Sequence, residues 1–144
     1  MTIKRTTSQK VWNIALWVGQ ILLAFMFLYA GSLKTFTPID DLAKIMPFAG
    51  ENPTLIRFIG IVEVAGGLGL LLPAALRILP QLTIVSAIGF TLIMVLAFGF
   101  HVLRGEYAAL GTNVVLGVIA AVVAWGRWRK APITNRFENK VSTI

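Results

Sequence analysis

Phe58-Ile59-Gly60-Ile61-Val62-Glu63-Val64-Ala65-Gly66-Gly67-Leu68-Gly69-Leu70-Leu71-Leu72-Pro73-Ala74-Ala75 is apolar except for one acid, Glu63. A hydrocarbon core of ~30 Å takes about 20 helical residues to cross, and this run is long enough to do so. A carboxylate inside such a span costs roughly 2.5–3.5 kcal/mol to insert, so Glu63 is a functional-site candidate by default. The surrounding residues name no reaction. There is no nucleotide-binding loop, no metal-ligand cluster and no nucleophile beside a base.

The rest of the chain has the same character. Of its 144 residues, 57% are hydrophobic and 13% charged, with a mean hydropathy of +0.81. That composition predicts an all-α integral membrane protein of one domain, with room for about four spans. Without cysteine, disulfides, thiol relays and Cys-ligated metal clusters are excluded. The single histidine, His101, cannot build a metal site by itself. A net charge of +7 suggests nucleic acid, but the cations sit beside hydrophobic spans and not on a soluble basic face.

Hydropathy places the spans at about Val11–Gly31, Leu55–Leu72, Gln81–Phe100 and Ala108–Gly126, each a helix because lipid offers the backbone no other partner. Thr37-Pro38, Pro47, Asn52-Pro53, Pro73, Pro80 and Arg104-Gly105 fall between them as breakers. The longest connection, Ser32 to Thr54, carries Asp40, Asp41, Lys44 and Glu51 and fits either a short interfacial helix or an ordered loop. Lys4, Arg5, Lys10, Arg77, Arg127, Arg129, Lys130, Arg136 and Lys140 fall on one side, against Lys34, Lys44, Arg57 and Arg104 on the other. Nine against four predicts both termini in the cytoplasm. Trp12, Trp17, Trp125 and Trp128 lie toward that same side, as interfacial anchors would. The basic start followed by an apolar run resembles a signal peptide, but Leu28-Tyr29-Ala30 is a poor cleavage context, so the run reads as a retained first helix.

Helical spacing assigns each span an interior stripe: Gln20, Ala24, Phe27, Gly31 and Lys34 in the first, and Gly60, Glu63 and Gly67 in the second. Ser86, Phe90, Met94, Ala97 and His101 share a face of the third, and Asn113, Gly117, Ala120 and Ala124 one of the fourth. The predicted topology puts Lys34 and His101 at outer span ends, with Asn113 roughly 8 Å and Glu63 roughly 12 Å along their helices. Lys34, Glu63, His101 and Asn113 could line a cavity open to the outer face, with Arg57 at its rim. Such a cavity suits a quinone, a lipid or another small amphiphile.

Plainer roles compete. Glu63, His101 and Asn113 could simply hydrogen-bond across helices, each bond worth about 0.6 kcal/mol. Lys34 at a helix end could snorkel to headgroups, and Arg57 and Arg104 could anchor phosphates. The basic segment Arg127 to Lys140 suits topology and anionic lipid, with no ligand site expected there. The stripe from Asn113 to Ala124 fits either the bundle interior or a dimer interface.

Ala30-Gly31-Ser32-Leu33-Lys34 closing the first span, and Arg57-Phe58-Ile59-Gly60-Ile61-Val62-Glu63 in the second, resemble the DoxX-like membrane proteins. Leu70-Leu71-Leu72-Pro73 before Arg77, Phe100-His101, Arg104-Gly105-Glu106 and Asn113 extend the likeness over roughly residues 14 to 128. The resemblance implies a four-transmembrane-helix bundle of the bacterial cytoplasmic membrane, and it matches Lys34, Glu63, His101 and Asn113 to the family's recurring polar positions. It also implies a choice of roles, because the family is named for a subunit of a thiosulfate:quinone oxidoreductase and its wider relatives include membrane chaperones.

The first expectation is an accessory subunit that binds a quinone non-covalently, with Glu63 and His101 hydrogen-bonding or relaying protons to its head. Such a subunit would support membrane redox or stress functions beside a redox partner or a second copy of the chain. Catalysis by the chain alone is not expected. The second is a non-catalytic assembly factor that docks client spans on its small-residue faces. Proton-coupled transport is a third, although four short spans with one central acid offer little for alternating access.

Overall fold

A capping box starts the first helix, α1 (Thr7–Phe36): Thr6 Oγ1 accepts from the Gln9 backbone N–H, and Gln9 Oε1 accepts from the Thr6 N–H. The computed structural model describes residues 6–137. Lys4, Arg5 and Lys140, three of the cations used to predict topology, lie outside them. After α1 come two short helices, α2 (Ile39–Ile45) and α3 (Pro47–Glu51), then α4 (Pro53–Leu76) and α5 (Gln81–Arg104). A 3-10 turn, Tyr107–Ala109, leads into α6 (Leu110–Arg129). Four of these helices are long and apolar enough to cross a membrane.

Every spanning helix outruns its hydropathy window. Thus α1 continues past Gly31 to Phe36, α5 past Phe100 to Arg104, and α6 past Gly126 to Arg129. The hydrocarbon core limits how long a segment must be apolar but not where its backbone hydrogen bonding ends. Pro73, predicted to end the second span, lies inside α4. Proline supplies no N–H to the carbonyl four residues back, here Gly69 O, but a spanning helix held by its neighbours tolerates the loss. At the adjacent turn, Leu70 O accepts from Gln20 Nε2 of α1 at 2.8 Å and from Thr83 Oγ1 of α5 at 3.4 Å. The long connection holds two helices, α2 and α3, in place of one interfacial helix or a plain loop.

Around the bundle, α1 neighbours α4 and α6, and α5 neighbours α4 and α6. The buried stripes follow the predicted spacing: Gln20, Ala24, Phe27 and Gly31 on α1, Gly60, Glu63 and Gly67 on α4, Phe90 and Met94 on α5, Asn113, Ala120 and Ala124 on α6. Phe27 and Phe90 stack across the diagonal with ring centroids 3.6 Å apart. The outward faces carry Ile14, Val18, Phe25, Phe58, Val85 and Val95, all exposed, as a lipid-facing surface requires. Ala49, Leu42 and Ile56 form a second, smaller cluster beneath α2 and α3.

Candidate functional site

At the end of the bundle away from the termini, α1 and α4 approach at two glycines. A Cβ on Gly31 would meet Gly60 O at 2.7 Å and Val64 N at 2.9 Å, and one on Gly60 would meet Lys34 Cβ at 2.7 Å. This close backbone approach lets Lys34, one turn beyond Gly31, reach Glu63, one turn beyond Gly60. Lys34 Nζ donates to both carboxylate oxygens, at 2.6 and 2.7 Å, with side chains 14% and 4% exposed. Lys34 is therefore an interior ion-pair partner, and the snorkelling alternative does not hold.

Arg57 joins them from α4. Its Nη1 donates to Lys34 O at 2.5 Å and its Nη2 to Thr37 O at 2.6 Å. The last turn of a helix leaves carbonyls without intrahelical donors, and a guanidinium fork fits two of them. Arg57 holds the end of α1, and with it Lys34, where a phosphate anchor was the alternative. Thr35 Oγ1 is buried beside this pair of helices without a hydrogen-bond partner among the described residues.

His101 is engaged elsewhere. Its Nδ1 lies 2.6 Å from Glu106 Oε2, and Glu106 Oε1 accepts from Arg104 Nε at 2.8 Å. Arg104 also donates in bidentate fashion to Glu51 at 2.9 and 3.0 Å. Arg104 thus takes two carboxylates, where a phosphate anchor was the alternative. Hydrogen bonding from Arg104 holds the carboxyls of Glu51 and Glu106 below their ordinary value, with His101 adding to the effect on Glu106. Asn113 is buried on α6, and its Nδ2 has no partner among the described residues. Of the five predicted residues, Lys34, Glu63 and Arg57 form one cluster, His101 belongs to a second, and Asn113 presents an unused donor at the same end of the bundle.

The opposite end holds a polar cluster that the sequence reading missed. Arg127, read as a cytoplasmic cation, is 2% exposed. Its Nε donates to Gln20 Oε1 at 2.5 Å, its Nη1 to Asn13 Oδ1 at 2.7 Å and to Ala131 O at 3.2 Å, and the guanidinium lies 5.4 Å from the Trp17 ring centre. The available signal was the spacing of Asn13 and Gln20, seven residues apart and so on one face of α1. A cleft of about 300 Å³ lies beside Arg127 and Trp128, against Pro80, Gln81 and Ile133.

No curated protein and no solved structure matches the chain. The family model described as the DoxX-like family matches residues 18–123, a stretch that contains Lys34, Glu63, Arg57, His101 and Asn113. With most of its length inside that match and four helices able to cross a membrane, the chain belongs to the DoxX-like family of membrane proteins.

Proposed function

We propose that this DoxX-like protein is an accessory membrane subunit that binds a quinone or similar amphiphile at the Lys34 end of the bundle, with both termini in the cytoplasm of a bacterial cell and the site toward the outer face. The buried Lys34–Glu63 pair carries the reading. A buried ion pair is poor value for stability, because apolar residues of the same volume are commonly as good or better. Its presence inside a span fits a polar ligand better than it fits packing. Asn113 supports the same reading, since an unsatisfied buried amide donor suits the carbonyl oxygen of a quinone head. In this reading Lys34 and Glu63 are a donor and an acceptor that a ligand head can share, while His101, bonded to Glu106 at the same end of the bundle, is the group that passes protons.

Titration of the protein in nanodiscs with a short-chain quinone tests this, following the carboxylate and amide signals. Saturable binding that Glu63→Gln and Asn113→Leu each weaken at least about tenfold supports the site. A folded wild type that no quinone perturbs removes it, and leaves the assembly-factor role as the one to pursue.

A further inference from the structure

The connection from α1 to α4 has an unusual course. It leaves the end of α1 at Thr37-Pro38, forms α2 and α3, meets the end of α5 where Glu51 touches Arg104, and enters α4 at Asn52-Pro53. Since α1 and α5 lie diagonally opposite, this segment runs between two diagonal corners at that end of the bundle, and its Leu42 and Ala49 pack on Ile56, on the same buried stripe of α4 as Glu63. Lys34 is on the last turns of α1 below it.

The two sides of this segment are held differently. On the α1 side, Arg57 of α4 grips Lys34 O and Thr37 O and ties the hinge to the bundle. On the α5 side, the ties are polar and aromatic: Glu51 with Arg104, Phe48 edge-on to Phe100 at 4.7 Å, and the Arg104 guanidinium over both rings at 5.7 and 5.4 Å. The Glu51 side chain is 51% exposed and that of Arg104 29%. Exposed pairs of this kind hold a conformation without making its opening costly. The underside, Leu42 and Ala49 against Ile56, is a cluster of its own, separate from the main core, so it can part without disturbing the bundle.

We propose that residues 37–52 are a lid over the Lys34–Glu63 site, hinged beside Arg57 and latched by Glu51 to Arg104, whose opening admits the ligand from the membrane surface. The inference rests on the reading of Lys34–Glu63 as a ligand site. Arg104 is the fixed half of the latch, because Glu106 holds its Nε while Glu51 takes Nη1 and Nη2, and His101 in turn holds Glu106. Glu51 is the half that moves.

The chain has no cysteine, so a thiol introduced by Ala49→Cys is the single reporter of the lid's underside. Labelling by a membrane-impermeant maleimide in nanodiscs is compared for A49C, A49C/E51A and A49C/R104A, with A120C in the main core as a control for folding. Unlatching is expected to raise the A49C rate about fivefold or more while A120C stays protected. It is also expected to raise the association rate of a short-chain quinone. Equal A49C rates with and without Glu51 overturn the lid even if quinone binds. Raised rates in a protein that binds no quinone leave the lid standing and remove the ligand reading. Quinone association that is indifferent to E51A removes the gating role.

Discussion

Lys34 Nζ bridges the two carboxylate oxygens of Glu63 from a neighbouring helix, at 2.6 and 2.7 Å, inside a segment otherwise built of apolar residues. Removing one partner strands the other charge in a nearly dry site. Lys34→Met alone should therefore lower stability by about 3–5 kcal/mol. The double variant Lys34→Met/Glu63→Leu removes both charges at similar volume and should recover that loss, ending within about 1 kcal/mol of wild type or above it. Unfolding in detergent, followed by circular dichroism, measures all three proteins. A pair that serves ligand binding also predicts that the stable double variant binds no quinone. A double variant as unstable as Lys34→Met would make the pair a structural element after all.

The crossing of α1 and α4 predicts opposite signs for two kinds of glycine. Gly31→Ala places a methyl 2.7 Å from Gly60 O, a backbone atom that cannot swing away, so the helices must separate. A cost of about 1–3 kcal/mol is expected, together with a weaker Lys34–Glu63 contact. Gly89, in the interior of α5, has open space where its Cβ would stand. Gly89→Ala should be neutral or stabilising by up to about 1 kcal/mol, because alanine is the better helix former. Thermal unfolding of both variants under one set of conditions decides the comparison.

Arg127 predicts that cations in one short basic stretch are far from equivalent. Arg127→Ala leaves Gln20 Oε1 buried without its donor, at about 1–3 kcal/mol, and deprives the half-buried Asn13 Oδ1 of its own at a smaller cost. Arg127→Lys should recover only part of this, since an ammonium cannot reproduce the planar fork. Arg129, whose guanidinium lies over the exposed Trp128 at 4.4 Å, should cost less than about 1 kcal/mol on truncation to alanine. Equal losses at 127 and 129 would contradict the buried cluster.

What the sequence revealed follows from which forces leave a local trace. Span number, the buried stripes and the burial of Glu63 are written in hydropathy and in the 3.6-residue period, because lipid exposes any polar residue placed on the wrong face. Pro73 misled because a proline ends a helix only where the packing around it lets it, and here Gln20 and Thr83 from two other helices hold the neighbouring turn of α4 at Leu70 O. Arg127 misled for a related reason. A cation at a span end looks the same whether it faces headgroups or turns inward to Gln20 and Asn13, more than 100 positions earlier in the chain. His101 shares a helix face with Met94, but Glu106, five residues on, captures its ring nitrogen. Long-range side-chain pairing of this sort has no periodic signature.

The latch makes opening depend on pH in a direction fixed by the carboxyls at its centre. Arg104 faces Glu51 from α3 and Glu106 from the connection to α6, His101 of α5 faces Glu106, and the other lid charges, Lys44 paired with Asp41 and the nearby Asp40, lie outside this network. Glu51 and Glu106 are both held below the ordinary 4.5, chiefly by hydrogen bonds from Arg104. A carboxyl whose value is lowered in the closed state favours closure wherever the open state would also be ionised, and loses that preference as pH falls. The closed lid is therefore at full strength above 4.5 and weakens below it, as protons bind first to the open state. In the A49C protein, after correction for the intrinsic pH dependence of the thiol with a free cysteine standard, labelling should stay flat from neutral pH to about 5 and climb below that. A49C/E51A should already be fast at neutral pH and gain less on acidification. An A49C profile that stays flat well below 4.5, with the helices intact by circular dichroism, would show that Arg104 and its two carboxylates do not hold the lid.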